Sequence, residues 1–196
     1  MSTHTTATYR NNIWRASFEF YPTPPAAVRA LLSVESFDGD IWEPACGDWA
    51  ISKVLIDAGH RVISTDLIER GYGQGGQDFL KSKTPLAKNI ITNPPYGTHG
   101  LGDAFLRKAI IHCRQTWGSV AMLLNLRSLC NPDRCPRFQR CPPTAIYALD
   151  QLTCLPYGRP VPAWAKINKQ QYYWAVWHPW KVDRPTFWWL SVKDFK

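Results

Sequence analysis

The chain has 196 residues, 45% of them hydrophobic and 19% charged, which is the composition of one globular domain rather than of a disordered segment. It contains no apolar run near the roughly 18 residues of a membrane-spanning helix and no N-terminal apolar stretch typical of a secretory signal, so we expect a cytoplasmic protein. The net charge is +8, and residues 101–196 carry fourteen Lys or Arg against five Asp or Glu, which fits either a polyanionic partner or a solvated basic surface.

The first half of the chain alternates predicted helices and strands. An extended arm over residues 1–20 and the turn-forming segment Tyr21-Pro-Thr-Pro-Pro25 lead into a helix with proline near its first turn. The predicted helices cover residues 26–32 and 50–59, and Gly59 ends the second of them. The predicted strands cover residues 40–43, 61–65 and 89–92, with a glycine-rich loop over residues 71–76.

The second half continues this alternation and then becomes irregular. A helix over residues 101–116 has Phe105, Ala109 and His112 or Cys113 on one stripe, the pattern of an amphipathic helix. Further strands are predicted at residues 119–125, 145–149 and 172–177, with basic loop excursions over residues 127–143 and 150–171. The alternation predicts an α/β fold in one domain over residues 1–196, with a mostly parallel sheet and helices on both of its faces.

Polar residues and tight turns follow successive predicted strands. Asp66 ends the second strand about twenty residues after the first strand's turn at residues 44–47, a spacing suited to a carboxylate that accepts hydrogen bonds from ribose hydroxyls. Ligands of open α/β sheets bind at the carboxyl ends of the strands, so these residues are expected to meet in one crevice. Since an Asp in this position is as often a helix cap, Asp66 alone does not identify a nucleotide site.

The most specific motif is Asn93-Pro94-Pro95-Tyr96, which follows the third strand. The two prolines stiffen the backbone and remove its N–H donors, so the Asn93 oxygen and the Pro94 carbonyl can both accept hydrogens from one amino group. That arrangement aims the nitrogen lone pair at an electrophile through position and electrostatics rather than through a strong base. Tyr96 adds a flat face for a planar base or amide.

Taken in order over residues 20–150, these motifs resemble those of class I S-adenosylmethionine-dependent methyltransferases, and specifically of small phage and prophage DNA adenine N6-methyltransferases. The resemblance implies a Rossmann-like fold with a seven-stranded, mostly parallel sheet and an antiparallel last strand. It implies S-adenosylmethionine as cofactor, no metal, and methyl transfer to N6 of adenine in DNA, in a bacterial or phage-infected cell. The implied catalytic residues are Asn93, Pro94, Pro95 and Tyr96.

The resemblance also implies where the cofactor binds. Segment 21–25 resembles the region that closes over the methionine end, and Glu43–Asp48 resembles the first cofactor motif. Asp66 with its neighbour resembles the ribose-binding strand end, and Asp78 with its neighbour the adenine site. The expected contact residues are Tyr21, Thr23, Pro24, Glu43, Ala45, Cys46, Gly47, Asp66, Leu67, Asp78 and Phe79.

One residue departs from the family pattern. The first motif usually has a second glycine after Gly47, and here that position is Trp49. Glycine serves there because the backbone passes close to the cofactor and can need a positive φ. Two interpretations stay open: the substitution is tolerated with weaker cofactor affinity, or the protein has kept the fold and lost cofactor binding.

A methyltransferase that acts within double-stranded DNA must extrude its target base into the pocket. Candidates for phosphate contacts in the later loops are Arg127, Arg134, Arg137, Arg140 and Arg159. Arg137 and Tyr157 are candidate substrate-binding residues, Tyr157 as a second stacking partner. Cytosine N4, a protein glutamine amide and a non-catalytic nucleic-acid-binding role stay open as alternatives. Little room remains for a recognition domain, so we expect loose or short-site specificity.

The late region is also rich in cysteine and tryptophan. The cysteines cluster loosely, but they lack the close pairs of structural zinc sites, so reduced thiols are favoured over a metal site; they are Cys130, Cys135, Cys141 and Cys154. Trp174 and Trp177 are expected in the core, which requires a strand that is bulged or covered on both faces. The other tryptophans of this region are candidates for base stacking or for cover of the core.

Overall fold

The computed structural model describes residues 20–96, 100–132, 134–150, 152–155, 158–160, 170–181 and 184–195. The helices are α1 (Pro25–Leu32), α2 (Ala50–Asp57), α3 (Leu101–Thr116) and α4 (Cys135–Arg140), with short 3₁₀ helices at Phe79–Lys81, Leu126–Cys130 and Val192–Phe195. The strands are β1 (Ile41–Glu43), β2 (Val62–Ser64), β3 (Asn89–Thr92), β4 (Val120–Asn125), β5 (Ala145–Leu149), β6 (Tyr172–Trp177) and β7 (Thr186–Leu190). None of the described helices has the length and apolar character needed to cross a membrane.

The strands form one seven-stranded sheet in the order β2-β1-β3-β4-β6-β5-β7. Strands β1 to β4 pair in parallel, β6 is antiparallel to both of its neighbours, and β7 pairs in parallel with β5. The predicted mostly parallel sheet is therefore confirmed, but its antiparallel strand is the sixth along the chain and not the last. The edge strand β7 is not among the predicted elements, because its residues are exposed on both faces and give no inside-outside alternation.

Two apolar layers cover the two faces of the sheet. On one face α1 and α2 pack against the sheet, and on the other face α3 does. All six residues of β6 are buried, so Trp174 lies in the first layer and Trp177 in the second. The predictions of helices on both faces and of two buried tryptophans are confirmed.

Local sequence signals explain the helix ends on the first face. α1 begins at Pro25, whose fixed φ suits a first helical position. Gly59 follows α2 with a φ of 91°, the left-handed conformation that glycine supplies after a helix. The predicted irregular excursion over residues 127–143 instead contains a 3₁₀ helix and α4.

The sheet order also fixes the position of a ligand crevice. The chain leaves β1 for β2 on one side and then crosses to β3 on the other side of β1. The loops after β1 and β3 therefore diverge, and such a switch point opens a crevice at the carboxyl ends of the strands.

Candidate active site

A cavity of about 210 Å³ lies in this crevice, at the carboxyl ends of β1, β2 and β3. One water needs only about 10–15 Å³, so the cavity has room for an organic ligand. Most of the residues predicted from the sequence lie in its wall: Tyr21, Thr23, Glu43, Ala45, Cys46, Gly47, Asp66, Leu67, Asp78, Phe79, Asn93 and Pro95. Four described residues from the prediction lie outside the wall: Pro24, Pro94, Tyr96 and Arg137.

Asp66 joins the loops that follow β1 and β2. Its Oδ2 accepts a hydrogen bond from the Gly47 backbone N–H at 2.8 Å, and its Oδ1 accepts one from the Ile68 N–H at 2.8 Å. These two bonds fix the plane of the carboxylate, and each oxygen keeps a second acceptor position. Asp66 can therefore accept hydroxyl hydrogens from a ligand without giving up its structural role.

Glu43 is the most deeply buried acid of the wall, with 1% of its surface exposed. Burial raises its pKa well above the ordinary 4.5, and a hydrogen bond from the Ser52 hydroxyl only partly opposes this. The nearby carboxylates Asp66 and Asp48 raise the pKa further. A positively charged ligand group in the cavity would favour the ionised form of Glu43.

Cys46, Asp78 and Phe79 form another part of the wall. Burial raises the pKa of the Cys46 thiol to about 12, so it stays neutral and serves packing rather than nucleophilic chemistry. Phe79 is held edge-on by Trp42, at 5.0 Å between ring centroids, while the Asp78 carboxylate accepts from the Leu80 N–H at 3.0 Å. A flat apolar ring beside an acceptor suits a planar base that carries an amino group.

The Asn93 side chain is held from three directions. Its Nδ2 donates to the Tyr21 carbonyl and to the Thr23 hydroxyl, both at 3.1 Å. Its Oδ1 accepts from the Tyr96 hydroxyl at 2.8 Å. These partners fix which end of the amide faces which neighbour, and the oxygen keeps one acceptor position for a ligand. The sequence predicts a cofactor contact for segment 21–25, but it gives no sign that Tyr21 and Thr23 would hydrogen-bond the Asn93 side chain.

Tyr96 lies behind the cavity wall. Its hydroxyl also contacts the Leu123 carbonyl at 2.9 Å, and its ring packs on both core layers. Burial raises its pKa well above the ordinary value, so the hydroxyl stays protonated and can donate. The flat face predicted for base stacking is thus turned toward the core, and Pro94 is likewise buried outside the wall.

Trp49 turns away from the cavity. Its backbone has a φ of 80° at the residue before α2, so the expected positive φ at this usual glycine position is confirmed. The side chain is 46% exposed, lies 5.5 Å from the Tyr72 ring and has the Lys53 ammonium 4.8 Å away. Trp at this position therefore adds backbone strain, which is about 1–2 kcal/mol for a non-glycine residue in this conformation. Its side chain does not obstruct the cavity.

The arginines proposed for phosphate contact fall into two groups. Arg134 and Arg137 both pair with Asp103, at 2.6 and 2.9 Å, in a nearly dry contact that holds the α4 region to α3. The exposed ones are Arg127, Arg140 and Arg159. Arg137 is thus engaged within the fold, and Tyr157 lies outside the described residues.

The cysteines do not come together in the described part of the chain. Cys130 and Cys135 are exposed, whereas Cys154 is buried in the core, where burial raises its pKa to about 12. No group of three or more His, Cys, Asp or Glu positioned to hold a metal ion occurs among the residues that the structure describes.

Several wall residues are absent from the predicted set, because no motif marks them. They are Phe20, Ile68, Arg70, Gln77, Leu101 and Phe105. Phe20 covers Gly47, where an added Cβ would stand 2.8 Å from the Phe20 ring. Arg70 lies four residues after Asp66, and it reaches the cavity wall because of the fold of the loop between them, which the sequence does not reveal.

Three solved structures with this fold are similar to the chain. A candidate class I S-adenosylmethionine-dependent methyltransferase from Listeria monocytogenes has a TM-score of 0.56 and 11% identity over 84% of this chain. A modification subunit of a candidate type I restriction enzyme from Vibrio vulnificus has a TM-score of 0.59 and 14% identity over 88% of the chain. A candidate RNA methyltransferase from Pyrococcus horikoshii has a TM-score of 0.56 and 16% identity over 82% of the chain.

The three likenesses differ in how much of the other protein they cover. The chain spans 62% of the Listeria protein and 47% of the Vibrio subunit, but 87% of the Pyrococcus protein. No family model and no curated protein matches the sequence. Likeness at such low identity is a statement about architecture, and it shows that this chain has the Rossmann-like fold of class I methyltransferases.

Proposed function

We propose that the protein transfers a methyl group from S-adenosylmethionine to the N6 amino group of adenine in DNA. The observation that carries the proposal is that Asn93 and Pro95 share one cavity wall with Asp66, Asp78 and Phe79. An acceptor corner for an amino group therefore stands beside residues suited to a nucleoside. The similar structures are two methyltransferases and a modification subunit of a restriction enzyme, which supports the same reaction class.

The residues of the cavity fit this cofactor. The Asp66 carboxylate suits ribose hydroxyls, the Asp78 carboxylate suits the adenine amino group, and Phe79 supplies a flat apolar surface. The buried Glu43 suits the ammonium group of the amino-acid tail, which would favour its ionised form. When bound, S-adenosylmethionine supplies an electrophilic methyl group on a sulfonium centre.

The remaining wall orients the acceptor amine. The open acceptor position of Asn93 Oδ1 can take one of its hydrogens and so orient the nitrogen lone pair toward the methyl group. Because Pro94 is buried outside the cavity wall, its carbonyl would take the second hydrogen only after a local movement of the motif. In this structure the Tyr96 hydroxyl holds the Asn93 oxygen, so Tyr96 positions the corner. Stacking of a base on Tyr96 would require this ring to leave its contacts with Asn93 and Leu123.

DNA as the substrate is supported by the charge of the second half and by its exposed arginines, Arg127, Arg140 and Arg159. Duplex DNA would present its adenine by extrusion. The same corner suits cytosine N4 or a glutamine amide, whose amino groups have similar geometry. The outward Trp49 side chain weakens the non-catalytic alternative, because the wall beside it stays open.

The test is to incubate the native protein and Asn93→Ala with methyl-labelled S-adenosylmethionine and unmethylated duplex DNA, and then to digest the DNA to nucleosides. We expect label in N6-methyl-2′-deoxyadenosine with the native protein and a loss of label with Asn93→Ala. Label in N4-methyl-2′-deoxycytidine or only in protein would contradict the adenine assignment. No label in any product, with no cofactor binding by calorimetry, would favour the non-catalytic alternative.

A further inference from the structure

The cavity wall is unbalanced in charge. It contains four carboxyl side chains and, among the described residues, a single basic one, Arg70; the acids are Glu43, Asp48, Asp66 and Asp78. Carboxylates suit hydroxyl, amino and cationic groups of a ligand. The carboxylate of an amino-acid tail needs a cation instead, and Arg70 is the described wall residue that can provide one.

Among the described residues, Arg70 contacts an aromatic ring and has no charged partner. Its guanidinium carbon lies 4.2 Å from the centroid of the Phe20 ring, a distance typical of a cation–π contact. Its Nε is buried and has no hydrogen-bond partner, and no described carboxylate forms an ion pair with it. A buried donor left unpaired costs about 1–3 kcal/mol, so the guanidinium is poised to accept an anionic partner.

The position of Arg70 selects which part of a ligand it would meet. The Phe20 ring, on which the Arg70 guanidinium stacks, also covers Gly47 in the turn after β1. The Gly47 backbone N–H in turn donates a hydrogen bond to Asp66. Arg70 therefore lies near the turn that follows β1, and no other Lys or Arg among the described residues lines the wall. Four nearby acids would repel a phosphodiester, whereas a zwitterionic tail brings its own ammonium group for them.

We propose that Arg70 binds the carboxylate of the cofactor's amino-acid tail and makes the site selective for ligands that carry it. The inference rests on the proposed function, since it assumes that the cavity is the cofactor site. A planar guanidinium stacked on an aromatic ring keeps its N–H edge available for a two-point contact with a carboxylate.

The test compares two ligands that differ only in this group, S-adenosylmethionine and decarboxylated S-adenosylmethionine, by calorimetry. The native protein is expected to prefer the first by about ten- to a hundredfold, the value of a charge-assisted contact. Arg70→Gln is expected to bind both ligands with similar affinity, and Arg70→Lys to keep a reduced preference. The matched control is Arg61→Gln, which removes an exposed arginine paired with Asp40 and is expected to keep the native preference.

The outcomes separate this inference from the proposed function. Native protein that binds neither ligand would overturn both. Native protein that binds the two ligands equally, or an Arg70→Gln variant that keeps the native preference, would overturn the role of Arg70 and leave the cofactor site standing. Loss of DNA affinity in Arg70→Gln with the ligand preference unchanged would also overturn it, because Arg70 would then contact phosphate. A melting curve for each variant checks that it is folded.

Discussion

The cavity region, residues 20–96, and the far region of the sheet, residues 126–195, use polar residues in opposite ways. In the cavity region Asp66, Glu43 and Asn93 have partners inside the fold and also face the cavity. In the far region several large aromatic and basic side chains are exposed, such as Trp188 and Trp189 at 59% and 77%. The first region therefore holds its polar groups in fixed positions at a cavity, whereas the second presents aromatic and basic side chains to solvent.

The largest expected effect is that of Asn93→Ala on methyl transfer. Removing the amide takes away one acceptor for the target amine and frees the Tyr96 hydroxyl and segment 21–23. Loss of one such positioned group typically costs about 10²–10³ in rate. Single-turnover transfer to DNA measures this, with Gln115→Ala as the control, since Gln115 is an exposed amide near the end of α3. A variant with the native rate would show that the prepared acceptor does not lie at Asn93.

The next largest effects are expected to differ between the ion-paired and the exposed arginines of the far region. Arg137→Ala removes a nearly dry ion pair with Asp103 and is expected to lower the free energy of unfolding by about 2 kcal/mol. Arg127→Ala removes an exposed charge and is expected to keep stability, weaken DNA binding and lower its salt slope by about 1. Urea unfolding and DNA titrations at several salt concentrations measure the two effects. The division between paired and exposed arginines is wrong if Arg127→Ala is the less stable variant.

These two regions were also unequally predictable from sequence. The segments that line the cavity could be located because they carry recognisable motifs, and the strands there alternate with helices in a regular order. Strand β7 could not be located, since neither of its faces is covered. The resemblance predicts that the antiparallel strand is the last one, whereas it is β6, because sheet order depends on long-range pairing that no local pattern records.

The details of the site escaped prediction for a related reason. The Asn93–Tyr96 motif predicts a group of hydrogen-bond acceptors for an amino group. The position of the Tyr96 ring against the core depends instead on contacts with β4, which the motif does not reveal. Arg70 and Phe20 belong to no motif and meet only because Gly47 leaves space for the Phe20 ring. The Asp103 pair that engages Arg137 joins residues more than thirty positions apart, which spacing alone does not reveal.

Glu43 gives the cavity region a pH dependence opposite in sign to that of Glu35, whose pKa is lowered because hydrogen bonds from His178 and Tyr147 of the far region outweigh its burial. Its pKa is raised in the folded protein, chiefly by burial, so the folded state binds the proton more tightly than the unfolded state. Stability from this group is therefore full near and below pH 4.5 and falls as the pH rises toward the folded pKa. Glu43→Gln is expected to raise the melting temperature most at alkaline pH.

The measurement is the melting temperature of the native protein and Glu43→Gln from pH 5 to pH 8. The difference between the two curves is expected to grow with pH, and cofactor affinity is expected to fall in the variant, which cannot ionise. Curves that stay parallel over this range would show that Glu43 is ionised in the folded protein.

A smaller effect comes from two tryptophans that adopt a left-handed backbone. Trp49 precedes α2 with a φ of 80°, and Trp117 follows α3 with a φ of 54°. Glycine at either position is expected to raise stability by about 1 kcal/mol, or about 2–4 °C in melting temperature. Only Trp49→Gly, beside the cavity, is expected to change cofactor affinity, and it should increase it. Equal changes in cofactor affinity for the two variants would contradict the prediction that Trp49, and not Trp117, affects the cavity.

The smallest effect is expected at the exposed edge of the sheet. Trp189→Ser alters a side chain that is 77% exposed, so stability should change by less than about 0.5 kcal/mol and cofactor affinity should stay at the native value. Thermal melts and calorimetry check both. A large loss of stability would mean that this edge is a structural part of the domain rather than a contact surface.

The most direct test of the shared cavity compares two aspartates that both accept backbone hydrogen bonds. Asp66 accepts from Gly47 and Ile68 at the cavity, and Asp150 accepts from Val192 at 2.7 Å far along the sheet. Calorimetric titration with S-adenosylmethionine should give one site in the native protein and in Asp150→Ala, and at least a hundredfold weaker binding in Asp66→Ala, about 3 kcal/mol. Native protein without binding, or Asp66→Ala with native affinity, would contradict a cofactor site in this cavity.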